Sequence, residues 1–241
     1  PSALPATLGG ARLASPEASG HWLLAQRAGE RGDLASAEAG FRRALELRPD
    51  LWIAHRDLGE LLSQSSERDA RLEARHHLQR AVELFPGVDT FPALIGHELV
   101  DGNVEAAQTA ALELNERAPA LSAGPYQLGR VAASRRDFST ALTHFEEALA
   151  RDPSSFDAAF ARARMLQDLA VEQADVRQAW KKAVDLADRG GAEAQWGWLA
   201  RESWLRHLLL AGDRDAVQRY LQGAQQIDRA QALALERRLG L

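Results

Sequence analysis

Two stretches decide how this chain is read: Phe41-Arg42-Arg43-Ala44-Leu45-Glu46-Leu47-Arg48-Pro49 and Phe145-Glu146-Glu147-Ala148-Leu149-Ala150-Arg151-Asp152-Pro153. Each opens on an aromatic, places an alanine three residues on and a leucine four on, and ends in proline. The three- and four-residue spacing puts these side chains on one face of a helix. Proline cannot continue a helix interior, so each stretch is the end of one helix. A third copy, Leu78-Gln79-Arg80-Ala81-Val82-Glu83-Leu84-Phe85-Pro86, keeps the register, and Ala111, Leu114 and Pro119 keep it more loosely. The prolines Pro49, Pro86, Pro119 and Pro153 are spaced by 37, 33 and 34 residues.

Upstream of these stretches the same punctuation returns. A turn and a capping residue precede an alanine: Gly32-Asp33 before Ala37, Gly102-Asn103 before Ala107, Arg136-Asp137 before Ala141. Gly212-Asp213 with Val217 repeats it near the end of the chain. Asp33, Asn103, Asp137 and Asp213 are good N-caps for the helix that follows. Further upstream a large residue stands before a small one: Leu24-Ala25, Leu58-Gly59 and Leu128-Gly129. Small side chains let two helices approach closely, while Phe41, Leu45, Phe145 and Leu149 supply apolar bulk. Such a hairpin cannot bury its apolar face alone, so neighbours must stack.

This pattern resembles the tetratricopeptide repeat, a helix–turn–helix unit of 34 residues. The resemblance covers residues 18–228 and is fullest in the first and fourth units. The expected fold is all-α: a right-handed solenoid of six hairpins, with units at about 18–51, 52–87, 88–121, 122–155, 156–197 and 198–228. A capping helix is expected over 229–239 and an extended tail over 1–16, where Pro1, Pro5, Gly9, Gly10 and Pro16 fall. The third unit has Ile95 and the sixth Leu205 where a small residue is usual.

The chain has 241 residues, 29 Lys plus Arg against 34 Asp plus Glu, and a formal net charge of -5. That balance argues against a nucleic-acid binder. Cysteine is absent, which excludes disulfides, thiolate catalysis and cysteine-ligated metals. No apolar run is long enough to span a membrane. Pro1-Ser2-Ala3-Leu4-Pro5 does not read as an intact signal peptide. The cytoplasm is the expected compartment, or the periplasm if a signal has been removed. All basic residues but Lys181 and Lys182 are arginine, a bias of GC-rich, bacterial coding.

No reaction chemistry emerges from the residues. The seven histidines, His21, His55, His76, His77, His97, His144 and His207, form no His-Glu-x-x-His pair, so no metal or other cofactor is expected. No phosphate-cradling glycine motif occurs. Trp196, Trp198 and Trp204 could form a ligand cage, but Trp204 falls at a packing position and Trp198 can seal the junction after Gly190-Gly191.

The resemblance implies that the first helices of successive hairpins line a concave groove where a partner peptide or helix binds. Groove positions then fall at Gln26, Glu60, Gly96, Arg130, Arg164 and Arg206, and one turn earlier at Trp22, Arg56, Pro92, Tyr126, Phe160 and Glu202. The candidate binding residues are Arg130, Arg164, Arg206, Tyr126, Phe160 and Gln127, with Trp22, Gln26 and Arg56 towards the N-terminus. Three arginines in equivalent places suit an acidic or carboxylate-bearing segment. The competing expectation is that Glu202, Asp157 and Asp168 pair with these arginines within the chain. The chaperone-tail clamp of one subclass is not matched, since its sites hold Trp22, Gln26, Asp57, Asp89 and Ala93. The expected function is a non-catalytic adaptor. The alternative is the substrate-recruiting repeat region of a larger enzyme, such as a sulfotransferase or hydroxylase. Self-association through the end hairpins is compatible with both.

Overall fold

The computed structural model describes residues 7–8, 11–12, 16–190 and 194–241. The expected tail over 1–16 therefore lies largely outside the described residues. Within it, β1 (Thr7–Leu8) pairs antiparallel with β2 (Ala11–Arg12). Everything else described as regular structure is helical. The chain divides into two compact units, Pro1–Pro119 and Ala120–Leu241.

The first unit carries α1 (Pro16–Glu30), α2 (Leu34–Leu47), α3 (Trp52–Ser63), α4 (Arg68–Leu84), α5 (Phe91–Val100) and α6 (Val104–Arg117). They pair as three antiparallel hairpins, α1 with α2, α3 with α4 and α5 with α6, and α2 packs on α3 and α4 on α5. Trp22, Ala25, Phe41, Ala44, Leu51, Trp52 and Leu58 form a continuous core through the first two hairpins.

The second unit repeats the plan with α7 (Ala123–Ser134), α8 (Phe138–Arg151), α9 (Phe156–Asp168), α10 (Gln173–Asp188), α11 (Ala194–Leu210), α12 (Arg214–Ile227) and α13 (Arg229–Leu239). Its core runs from Leu149 through Phe156, Phe160 and Trp180 to Ala200. A smaller cluster of Leu205, Val217, Leu221 and Leu235 joins α11, α12 and α13.

The turn chemistry explains the hairpins. Asp33, Asp137 and Asp213 each accept a hydrogen bond from the backbone N–H three residues on, at 3.1–3.2 Å. Ser155 caps α9 and Asp228 caps α13 in the same way. Asn103 makes no side-chain cap bond. The residue before each of the four acidic or amide caps is left-handed: Gly32, Gly102 and Gly212 at φ near +80°, and Arg136 at φ 61°. Glycine adopts that conformation without strain, whereas arginine does not.

The small positions set how closely the two helices of a hairpin approach. A Cβ at Gly129 would stand 2.5 Å from the Phe145 ring, and one at Gly59 would stand 2.6 Å from Leu78. Gly40 lies as tightly against Ala25. These three hairpins are the most intimate. The hairpins with Ala163 and Ile95 at the small position are looser, and α11 and α12, with Leu205 there, touch least. Among the described residues no helix is long and apolar enough to cross a membrane.

Candidate functional site

In the first unit the expected groove residues are tied to one another. The indole N–H of Trp22 on α1 donates to Asp57 on α3 at 2.7 Å, and Gln26 donates to the same oxygen at 3.2 Å. Arg56 binds the other carboxylate oxygen at 2.8 Å through Nε and reaches the Asp89 carbonyl at 3.4 Å. Its guanidinium also lies over the Trp52 ring. Trp22 is only 5% exposed. Asp57 is thus the centre that gathers Trp22, Gln26 and Arg56.

In the second unit the expected residues separate. Tyr126 packs its ring on Phe145, and burial pushes its hydroxyl above the usual tyrosine range, reinforced by the charge of Asp157. Gln127 is buried and accepts a hydrogen bond from Arg130 at 2.9 Å, which steadies that half-buried guanidinium. Phe160 is 8% exposed, set among Phe156, Trp180 and Trp196, so its ring belongs mainly to the core. Arg206 donates to Glu202 at 2.8 Å and to the Arg238 carbonyl at 3.3 Å, and Arg238 holds the other Glu202 oxygen at 3.1 Å. Arg164 is different: it is exposed and carries no hydrogen bond or ion pair among the described residues.

The tryptophans divide by role. Lys181 lies over Trp204, whose ring meets Tyr220 edge-on at 5.1 Å. The Tyr220 hydroxyl accepts from Arg201 at 2.7 Å, and Arg201 lies over Trp198 at 4.7 Å. Burial raises that hydroxyl to about 12. These contacts staple α10, α11 and α12 together. Trp196, by contrast, is 45% exposed and meets Phe160 edge-on at 5.9 Å. With Leu199 one turn further on, it borders a depression of about 570 Å³ that α13 closes with Gln231 and Arg238.

The sequence pattern did not single out a polar cluster in the first unit. Ser63 donates to the Gly59 carbonyl at 2.7 Å, so it accepts from His97 Nδ1 at 2.8 Å. The opposite nitrogen of His97 stands 3.7 Å from Asp101. The order of residues is that of a nucleophile triad, but the hydroxyl proton is committed to the helix backbone and the imidazole does not receive it. Buried Glu98 accepts from Arg75 at 2.9 Å. Between α3 and α4, His55 and His77 share a hydrogen bond at 2.8 Å between their Nδ1 atoms. The Pro49 carbonyl accepts from His55 Nε2 at 3.0 Å, so His77 is the donor of the pair. Among the described residues no three His, Asp or Glu side chains converge so as to hold a metal ion.

This architecture recurs in solved structures. Pseudomonas aeruginosa PilF matches over 92% of this chain and 97% of its own, at 19% identity and a TM-score of 0.63. PilW, described as a widely conserved type IV pilus biogenesis factor, matches over 88% and 94%, at 16% identity and a TM-score of 0.65. MamA from Desulfovibrio magneticus matches over 74% and 99%, at 15% identity and 0.53. The chain has the tetratricopeptide-repeat fold. No protein-family model and no curated protein matches its sequence. The tetratricopeptide-repeat register explains why Gly59 and Gly129 press on the second helix of their hairpins, and why the residues that follow them turn away from that contact.

Proposed function

We propose that the chain is a non-catalytic adaptor whose second unit holds an extended segment of a partner protein along α7, α9 and α11. The observation that carries this reading is Arg164. In a chain with an acidic excess, its guanidinium stands exposed and uncommitted on α9, one helical turn beyond the ring that Trp196 touches. A free guanidinium beside a half-exposed indole offers both a charge-assisted contact and apolar area. Arg130, held by Gln127, extends the positive surface on α7. Arg206 is less available because Glu202 already occupies it. The shared fold of PilW, a pilus biogenesis factor, accords with a role in assembling other proteins.

The test is selection of short random peptides displayed on phage against the whole chain. The reading expects enrichment on wild type and its loss on an Arg130→Glu, Arg164→Glu, Arg206→Glu variant with unchanged helical circular dichroism. Equal enrichment on both would move the binding surface off these helices. No enrichment on wild type would remove the peptide-adaptor reading.

A further inference from the structure

We infer that the first unit carries a docking cleft of its own, which takes a lysine- or arginine-bearing segment of a partner protein. The cleft has a volume of about 520 Å³ and lies between α2 and α4, with the end of α3 beneath it. It shares no residue with α7, α9 or α11, and its occupant has the opposite charge to the one proposed there.

The cleft coincides with a local departure from the repeat. Pro49 and Pro86 stand 37 residues apart, whereas Pro119 and Pro153 stand 34 apart. The helix α4 has 17 residues against 14 for α2, α6 and α8. The connector before it runs from Gln64 to Glu67, one residue longer than the turns before α2, α6, α8 and α12. Gln64, Ser65 and Glu67 of that connector line the cleft.

The apolar part of the lining is leucine and alanine. Leu34, the first residue of α2, is 49% exposed. Leu62 is buried below it, and Leu61 and Ala70 are partly buried against the same core.

The polar part is acidic. Glu38, Glu67, Asp69 and Glu73 line the cleft against one guanidinium, that of Arg42. Arg42 is committed: it donates to Glu73 at 2.9 and 3.1 Å and also to Glu38, tying α2 to α4. Those bonds hold the Glu73 carboxyl below its usual range. The carboxylates of Glu67 and Asp69 have no hydrogen bond or ion pair among the described residues. Glu67 stands at the N-cap of α4 yet makes no cap bond, whereas Asp33, Asp137, Asp213 and Asp228 spend their carboxylates in that way. The arginines nearby are held elsewhere, Arg43 by Glu46, Arg71 by Asp101 and Arg75 by Glu98. Arg68 is exposed but does not line the cleft, and adjacent helical residues do not face each other. Counted with Arg42, it still leaves four carboxylates to two guanidiniums. The wider field has the same sign, because Pro1–Pro119 holds 18 Asp plus Glu against 12 arginines.

Lysine and arginine answer both parts of this lining. Their aliphatic stems lie along apolar surface while the charged head stays among polar groups. A carboxylate in the same place meets like charge, and a wholly apolar side chain would take Glu67 and Asp69 out of water with nothing in return.

The test returns to displayed random peptides, selected on the full chain at about 0.15 M salt, where long-range attraction is screened. The expected result is a class of enriched peptides that carry lysine or arginine. Synthesised with blocked ends and titrated by calorimetry, they should bind a Glu67→Gln, Asp69→Asn variant about tenfold or more weakly than wild type. The same loss of charge on α6, Glu113→Gln with Glu116→Gln, should leave their binding unaltered, which separates the cleft from the general field of the unit. Exchanging the peptide's basic residue for glutamate should restore binding to a Glu67→Lys, Asp69→Lys variant, a swap that misfolding cannot produce. Absence of basic peptides, equal binding to the Glu67→Gln, Asp69→Asn variant, or an equal loss in the α6 variant overturns the inference. Each of these leaves the reading of the second unit standing, since that is decided by Arg130, Arg164 and Arg206. A selection that enriches no peptide overturns both.

Discussion

Trp22 and Asp57 are joined across two hairpins by a 2.7 Å hydrogen bond from an indole that is almost entirely out of water. Asp57 is itself 9% exposed and also receives Gln26 and Arg56. Replacing it with alanine leaves the Trp22 N–H buried without a partner, which costs about 1–3 kcal/mol. Urea denaturation of Asp57→Ala should show that loss. A midpoint equal to wild type would mean that the indole finds water or another acceptor.

Arg136 holds the left-handed turn position that Gly32, Gly102 and Gly212 hold in other hairpins. A non-glycine residue there costs roughly 1–2 kcal/mol, partly offset by the extra freedom glycine gives the unfolded chain. Arg136→Gly should therefore stabilise the second unit by about 0.5–1 kcal/mol, read as a raised Tm. A lowered Tm would show that the arginine side chain contributes more than the backbone strain removes.

His77 makes the stability depend on pH. Burial pushes its imidazole down from 6.5 to about 4, and the charge of His55 pushes the same way, against the pull of Glu73. Arg80 and His76 add positive charge around the pair. The folded chain keeps this ring neutral while the unfolded chain takes up a proton as pH falls below 6.5. Stability is thus full above 6.5, declines as pH falls, and stops declining on this account below about 4. His55, His97 and His207, also lowered chiefly by burial, act in the same direction. His77→Gln should flatten the decline in a series of melts between pH 7 and 4. An unchanged slope would assign it to the other three histidines.

Arg75 and Arg164 are both arginines on helix faces, yet their removal should differ widely. Arg75 neutralises Glu98, whose side chain is 4% exposed. Arg75→Ala strands that carboxylate, at a cost of about 3–5 kcal/mol, and a second change, Glu98→Gln, should recover part of it. Arg164→Ala removes no partner and should stay within about 0.5 kcal/mol of wild type. Chemical denaturation of the three variants checks both statements, and similar losses for Arg75→Ala and Arg164→Ala would contradict them.

The hairpins were legible because their signals are local. Proline at Pro49 and Pro153 stops a helix wherever it falls, and Asp33 or Asp137 caps one through its own backbone neighbours. The facing of Gly59 and Gly129 could be read for a related reason, since only one face of a helix can meet its hairpin partner. The fate of the groove side chains was not legible in the same way. Register places Trp22, Arg56, Phe160 and Arg206 on the inner surface, but whether each meets solvent depends on what the next hairpin offers. Asp57 captures the first two and the Trp180 and Trp196 rings enclose the third, whereas Arg206 pairs with Glu202 one turn back on its own helix, which is the competing expectation from the sequence. Trp196 is a cage candidate from its place in the sequence beside Trp198 and Trp204, yet its exposure follows from the course of α11 over Phe160, which no local signal encodes. The Ser63–His97 and His55–His77 contacts join residues 22 or more apart outside the prolines and small positions, so the period does not mark them.

Leu205 makes the last hairpin a door with a stiff jamb and a loose leaf. The jamb is α11, packed firmly on α10. The leaf is α12 with α13, which touch α11 least of all the helix pairs that form hairpins. In a stack whose members grip only their neighbours, opening starts where the grip is weakest. The depression beside Trp196 has one wall on the jamb and one on the leaf. A segment lodged there would act as a latch, and the free energy of lodging would appear as slower hydrogen exchange in α12 and α13, helices that carry neither Trp196 nor Arg164.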